Sequence, residues 1–186
     1  MIKIKGPKFQ RNAWRKIKAY LRKEFNAAWY ASIKAFIDAT SSKIKIDTGM
    51  SIASLRPLAG VVRHRVGLEA ARPTSGAVPW NKQKGKTKSL DYYWGSGGKG
   101  KGAGETLGKT AFKVERMKEN KMTMIFEYRV NVGQWALHEG KDTKYSQNWQ
   151  SLAAGKAAFH KEWDVQMEKR ISTNKLNQLL ESVGLR

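Results

Sequence analysis

From Lys8 to about Ser42 the chain runs without a glycine or a proline. Phe9, Trp14, Ile17, Leu21, Phe25 and Ala28 recur at three- to five-residue steps, and Trp29, Ile33, Phe36 and Ile37 carry the apolar stripe onward. That spacing is close to the helical repeat and predicts one long amphipathic helix. A helix of this length reaches roughly 50 Å, longer than a small domain is wide. It must therefore kink near Asn26 or project beyond its own core to meet a neighbour. Its first half carries Arg11, Arg15, Lys16, Lys18, Arg22 and Lys23, with Glu24 as the nearby carboxylate. Ordinary solvated helix faces mix signs, so these six residues are candidate contacts to DNA or to an acidic partner.

The imbalance extends over the whole chain: 36 Lys and Arg against 15 Asp and Glu, a formal charge of +21. Such a charge suits nucleic acid, an anionic surface or an acidic protein. The chain has no cysteine, which excludes disulfides, thiolate nucleophiles and zinc–thiolate sites. His64, His138 and His160 lie far apart and form no H-E-x-x-H pair. No apolar run approaches the roughly 18 residues of a membrane span, and the Lys-rich N-terminus lacks the apolar core of a signal peptide. The expectation is a single domain over residues 1–186 of 186, used without secretion, with no cofactor, no metal and no catalytic site.

After the long helix comes Asp47-Thr48-Gly49, turn chemistry in which side chains bond back to the backbone and the glycine accepts φ > 0. An aspartic protease also uses this triplet, but it needs two carboxylates sharing one proton; a single copy is present, and only a homodimer could supply the second. Gly60 to Leu68 reads as a strand, with His64 exposed between two arginines. Residues 71–109 read as a long, flexible Gly/Lys-rich insertion. There Lys82, Lys84, Lys86, Lys88, Lys99 and Lys101 interleave with Tyr92, Tyr93 and Trp94, a mixture suited to phosphate contact plus stacking, or to an acidic protein. Within it, Ala103 to Thr110 fits a relaxed phosphate-loop pattern, but a coil before it and an alternating strand-like run after it are the wrong context.

Thr110 to Met117 and Met122 to Val132 alternate apolar and polar residues about the polar turn Lys118 to Lys121, predicting an antiparallel hairpin with one face on a core. Trp135-Ala-Leu-His-Glu139-Gly140 follows. A second long helix starts near Asn148, with Trp149, Leu152, Phe159, Trp163 and Met167 on its stripe and Gly155 as a place for close packing. Ser172-Thr173-Asn174 reads as a break and a new N-cap before a short amphipathic tail through Leu176, Leu179, Leu180 and Val183, either a core lid or a subunit contact. The fold class is α+β: a long N-terminal helix, an antiparallel sheet with the insertion, and a C-terminal helix.

This order resembles the head–tail joining, or tail-completion, proteins of long-tailed bacteriophages. Thr48, Gly49 and Ser54 are similar to the Thr-Gly element that follows that family's first helix, with Met50 near the usual Leu and the serine displaced. Trp135, Ala136, Glu139 and Gly140 are similar to its aromatic-Ala…Glu…Gly element, with Lys141 where a Thr is usual and no proline before the last helix. The resemblance implies a non-enzymatic virion protein of the neck, made in the bacterial cytoplasm. It implies a ring of identical copies, six-fold symmetry being the first to test, set between head–tail adaptor and tail terminator or tube proteins around the DNA path.

Two other classes compete. One is a free-standing, sequence-independent nucleic-acid-binding protein, which steep salt dependence of monomer binding would favour. The other is a phosphodiester hydrolase, which would want clustered carboxylates for metal ions; the acidic residues are scattered instead. The charge itself generates a prediction. Copies at +21 repel one another unless DNA or an acidic partner screens them. Mass measurement of the isolated protein at low salt should therefore find monomers or weak association; a stable ring under those conditions contradicts it.

Overall fold

The structure, a computed structural model, describes residues 7–43, 45–46, 50–66, 78–79, 101–121, 123–128 and 148–184. Its spine is α1, Pro7–Lys43, an unbroken helix of 37 residues and therefore roughly 55 Å long. Pro7 opens it, at the position where a missing N–H costs nothing. A two-residue strand β1 (Lys45–Ile46) pairs in parallel with β2 (Val78–Pro79). Helices α2 (Met50–Ala53) and α3 (Arg56–Val66) lie between them in sequence. Then come α4 (Lys101–Ala111), the antiparallel strands β3 (Phe112–Glu115) and β4 (Ile125–Tyr128), and the helices α5 (Asn148–Arg170) and α6 (Thr173–Ser182). The fold is mostly helical, with a small two-stranded antiparallel sheet.

The apolar stripe of α1 meets two separate cores. On its second half Trp29, Ile33, Phe36 and Ile37 are buried with Ile52, Leu55, Leu58, Ala59, Val62, Leu152 and Phe159. On its first half Ala13 and Ile17 are buried with Val183, and Leu21, Leu179 and Leu180 pack beside them. The tail is thus a lid on α1, and the helix does not need a neighbouring molecule to cover this side. Asn26, where a kink was expected as one option, lies in continuous helix. Its Nδ2 donates to the Met117 carbonyl at 3.1 Å, and its Oδ1 accepts from the Met117 N–H at 3.0 Å. The hairpin is thereby pinned to the middle of the spine.

The hairpin register is Phe112 with Tyr128 through Glu115 with Ile125, closed by a bridge between Lys118 and Lys121. This matches the expected turn; the continuation of the second strand over 129–132 lies outside the described residues. The strand expected over Gly60 to Leu68 is not formed, because α3 runs through Val66. Leu55, Leu58, Ala59 and Val62 are all buried, a three–four spacing that belongs to a helix. Pro57 reads as an interruption in sequence, but it is the second residue of α3, in the first turn where no N–H is required.

The insertion also ends earlier than residue 109. Residues 101–111 are α4, which buries Gly104, Gly108 and Ala111. Gly108 packs against the backbone just after α2: a Cβ added there would stand 2.1 Å from the Ser54 carbonyl oxygen. Arg56 and Glu105 tie α3 to α4 at 2.5 Å. Residues 71–100, apart from β2, lie outside the described residues.

Helix α5 lies along α1. A Cβ at Gly155 would stand 2.0 Å from Thr40 Oγ1 and 2.8 Å from Phe36 Cδ2, so the two helices touch where α5 has no side chain. Phe159 and Trp163 then reach Trp29 edge-on, at 5.1 and 6.1 Å between ring centroids. Phe126 of the hairpin stacks on Phe159 at 5.1 Å and meets Phe36 edge-on at 4.9 Å.

These contacts set the outcome of three glycine substitutions. Gly155→Ala and Gly108→Ala should each lower the unfolding free energy by about 1–3 kcal/mol through overpacking. Gly102, also in a helix, has nothing within 4 Å of an added Cβ, so Gly102→Ala should raise it by up to about 1 kcal/mol through helix propensity alone. Urea denaturation of the three variants checks both signs.

Candidate polyanion-binding face

Arg11, Arg15, Lys18 and Arg22 follow one another along α1 at four-, three- and four-residue steps, which places them on one face of the helix. With Trp14, Ala19 and Glu119 they line an open hollow of about 480 Å³ between α1 and the hairpin turn. Arg11, Arg15 and Lys18 are exposed and Arg22 is half-buried. Lys16 and Lys23, seven residues apart, are exposed on a different face of the helix; Lys16 borders a separate hollow beside Glu181, Ser182, Val183 and Gly184. The six helical candidates therefore form two groups.

Trp14 departs from the expectation. It was placed on the apolar stripe, yet it is 57% exposed. The residues that α6 covers are Ala13 and Ile17, with Leu21 beside them. Trp14 lies one step round the helix, three residues after Arg11 and four before Lys18. It is the site residue that sequence reasoning missed. Both Ala13-Ile17-Leu21 and Trp14-Ile17-Leu21 have helical spacing, and only the position of α6 selects the first.

Among the described residues, no carboxylate forms an ion pair with these six cations, although Glu119 lines the same hollow and Glu181 lies beside Lys16. Glu24, the carboxylate nearest in sequence, pairs with Arg170 at 3.2 Å. Asp38 pairs with Lys34 at 2.5 Å. Glu115 pairs with Lys121, and with Lys113 at 3.4 Å. The Lys121 hydrogen bond does most to hold the Glu115 carboxyl below its ordinary range, and Lys113 adds to it. Tyr20 donates to the Arg170 carbonyl at 3.1 Å; burial, with the Glu24 charge behind it, raises its phenol above the usual value. Glu119 sits on the exposed turn that Asn26 and the Lys118–Lys121 bridge hold in place.

The other expected site residues are not gathered here. Lys82, Lys84, Lys86, Lys88, Tyr92, Tyr93, Trp94 and Lys99 lie outside the described residues, as do Thr48, Gly49, Trp135, Glu139 and Gly140. Lys101 is the first residue of α4, which packs on α2 and α3. Ser54 is fully buried, and its hydroxyl donates to the Ser51 carbonyl at 2.7 Å; it is a packing residue beneath α4. A second hollow of about 470 Å³ is lined by Trp29, Phe36, Met124, Phe126 and Phe159, with Glu127, Lys156 and His160. Among the described residues no three metal-ligating side chains cluster, and no helix is long and apolar enough to cross a membrane. No family model, curated protein or solved structure matches the chain.

The two basic groups generate a test at equal charge. Arg11→Gln with Arg15→Gln should release the protein from immobilised DNA at clearly lower salt than Lys16→Gln with Lys23→Gln does. Both double variants should keep their unfolding free energies, measured by urea denaturation, to within about 0.5 kcal/mol, since all four positions are exposed.

Proposed function

We propose that this chain is a structural virion protein of a tailed phage, acting without catalysis as a ring subunit that joins the head or portal to the tail around the DNA path. The observation that carries this reading is the net positive face of α1, where four cations share a hollow with one carboxylate residue, Glu119. The carboxylate nearest in sequence, Glu24, is committed to Arg170. A positive face of this kind suits the backbone of DNA in a channel, or an acidic ring above or below. The resemblance at Thr48-Gly49, Ser54, Trp135 and Glu139-Gly140 supplies the phage context. Ring copies of this chain, a head–tail adaptor and a tail terminator or tube protein are the partners in this proposal, and the virion neck is the location.

A second reading, a free-standing sequence-independent nucleic-acid-binding protein, is favoured by one observation of its own: an exposed tryptophan among the arginines of that face. The two separate in a phage that encodes the chain. Deleting the gene should leave filled heads and finished tails unjoined in electron micrographs, and complementation with the wild-type chain should rejoin them. Joined, infectious particles at normal yield without the chain overturn the neck reading.

A further inference from the structure

We propose that the α1 hollow is a binding site for single-stranded nucleic acid, with Trp14 stacked on one base and Arg11, Arg15, Lys18 and Arg22 holding the flanking phosphates. This goes beyond the neck reading and does not rest on it.

The argument begins with spacing. The four cations, Arg11 to Arg22, span twelve residues of helix, or about 16 Å, enough to follow several consecutive phosphates of one strand. Three of the four are arginines, whose planar forks grip phosphate oxygens in pairs.

Trp14 decides between kinds of polyanion. It is 57% exposed and lines the same hollow as Arg11, Arg15 and Lys18, offering a flat apolar surface beside the charge. In an intact duplex each base face is covered by its neighbours, so a duplex meets the cations but leaves the indole unused. An acidic peptide does the same. A single strand presents both phosphates and free base faces, and stacking plus cationic tracking is how sequence-tolerant single-strand sites work.

Glu119 then gives the hollow a direction. It is the lining residue contributed by the hairpin turn, the others belonging to α1. It repels phosphate and accepts hydrogen bonds from the amino groups of bases, as acidic side chains do from cytosine N4. The backbone of the strand therefore runs along α1 and a base points toward the hairpin turn. That turn is held by the bridge between Lys118 and Lys121 and by the two hydrogen bonds of Asn26 to Met117, so the wall is preformed.

The test uses the full chain and labelled oligo-dT, oligo-dC and a duplex of equal length, read by fluorescence anisotropy over a range of salt. The single strands should bind more tightly than the duplex. Trp14→Ala should weaken single-strand binding about 5- to 100-fold, the size of one lost base stack, leave duplex binding unchanged and keep the salt slope. Trp14→Phe should restore most of the loss. Each Arg→Gln change on the face should lower the salt slope by about 0.7, the value for one single-strand phosphate contact. Glu119→Gln should reduce the preference for oligo-dC over oligo-dT. Wild-type single-strand affinity in Trp14→Ala overturns the proposal, as does equal binding of the duplex. Displacement of the oligonucleotide by polyglutamate at matched charge also overturns it, and assigns the face to an acidic protein. None of these failures touches the neck reading, because joining through an acidic ring needs no single strand.

Discussion

The near contact of α5 with α1 at Gly155 is the constraint on which the rest of the core depends. With no side chain at that point, Thr40 and Phe36 can meet the α5 backbone directly. That proximity brings Phe159 and Trp163, one and two turns further along α5, against Trp29, and leaves room for Phe126 to close the cluster from the hairpin. Aromatic pairs in edge and stacked geometry add to their burial energy. The approach has a cost: among the described residues the buried Thr40 Oγ1 finds no hydrogen-bond partner, a penalty on the order of 1–3 kcal/mol. The packing gain must exceed that for the arrangement to persist.

The same architecture explains why the positive charge is concentrated. Each acidic side chain in an ion pair lashes one element to itself or to another: Glu24 holds the end of α5, Glu105 holds α3, and Glu115 closes the hairpin. Half-exposed pairs of this kind contribute modestly to stability individually. They also commit Glu24, the carboxylate nearest in sequence, away from the cations of the first half of α1. Arg11, Arg15, Lys18 and Arg22 repel one another along one face of α1, and a bound polyanion relieves that repulsion.

Much of this was legible in the residues. A run without glycine or proline and with a helical stripe gave α1 to within a residue at either end, because long periodic segments leave few alternatives. The hairpin, the start of α5 at Asn148, the break at Ser172 and the packing role of Gly155 were equally plain. Short segments were harder. Val61 and Val62 suggest a strand, and only tertiary burial of Leu58, Ala59 and Val62 on one side reveals the helix. The glycines of α4 suggest coil, because glycine disfavours a helix on its own; the close approach to Ser54 is what makes them an asset. For the candidate site, the basic residues of α1 were visible but their division into two faces was not. Trp14 was hidden because which apolar residues a helix buries depends on where the covering element lies, and α6 is distant in sequence.

Asn26 reads only the backbone of Met117, donor and acceptor together. The side chain at position 117 is irrelevant to that pairing, while at position 26 a neutral amide is needed to put a donor and an acceptor side by side on one planar group; histidine carries both, but on ring nitrogens that point apart. The two positions of the clamp are thus under unequal pressure to vary. Residue 117 is free to drift among any amino acids that keep an N–H, proline being the one it cannot become, while residue 26 is confined by a partner that has no identity of its own.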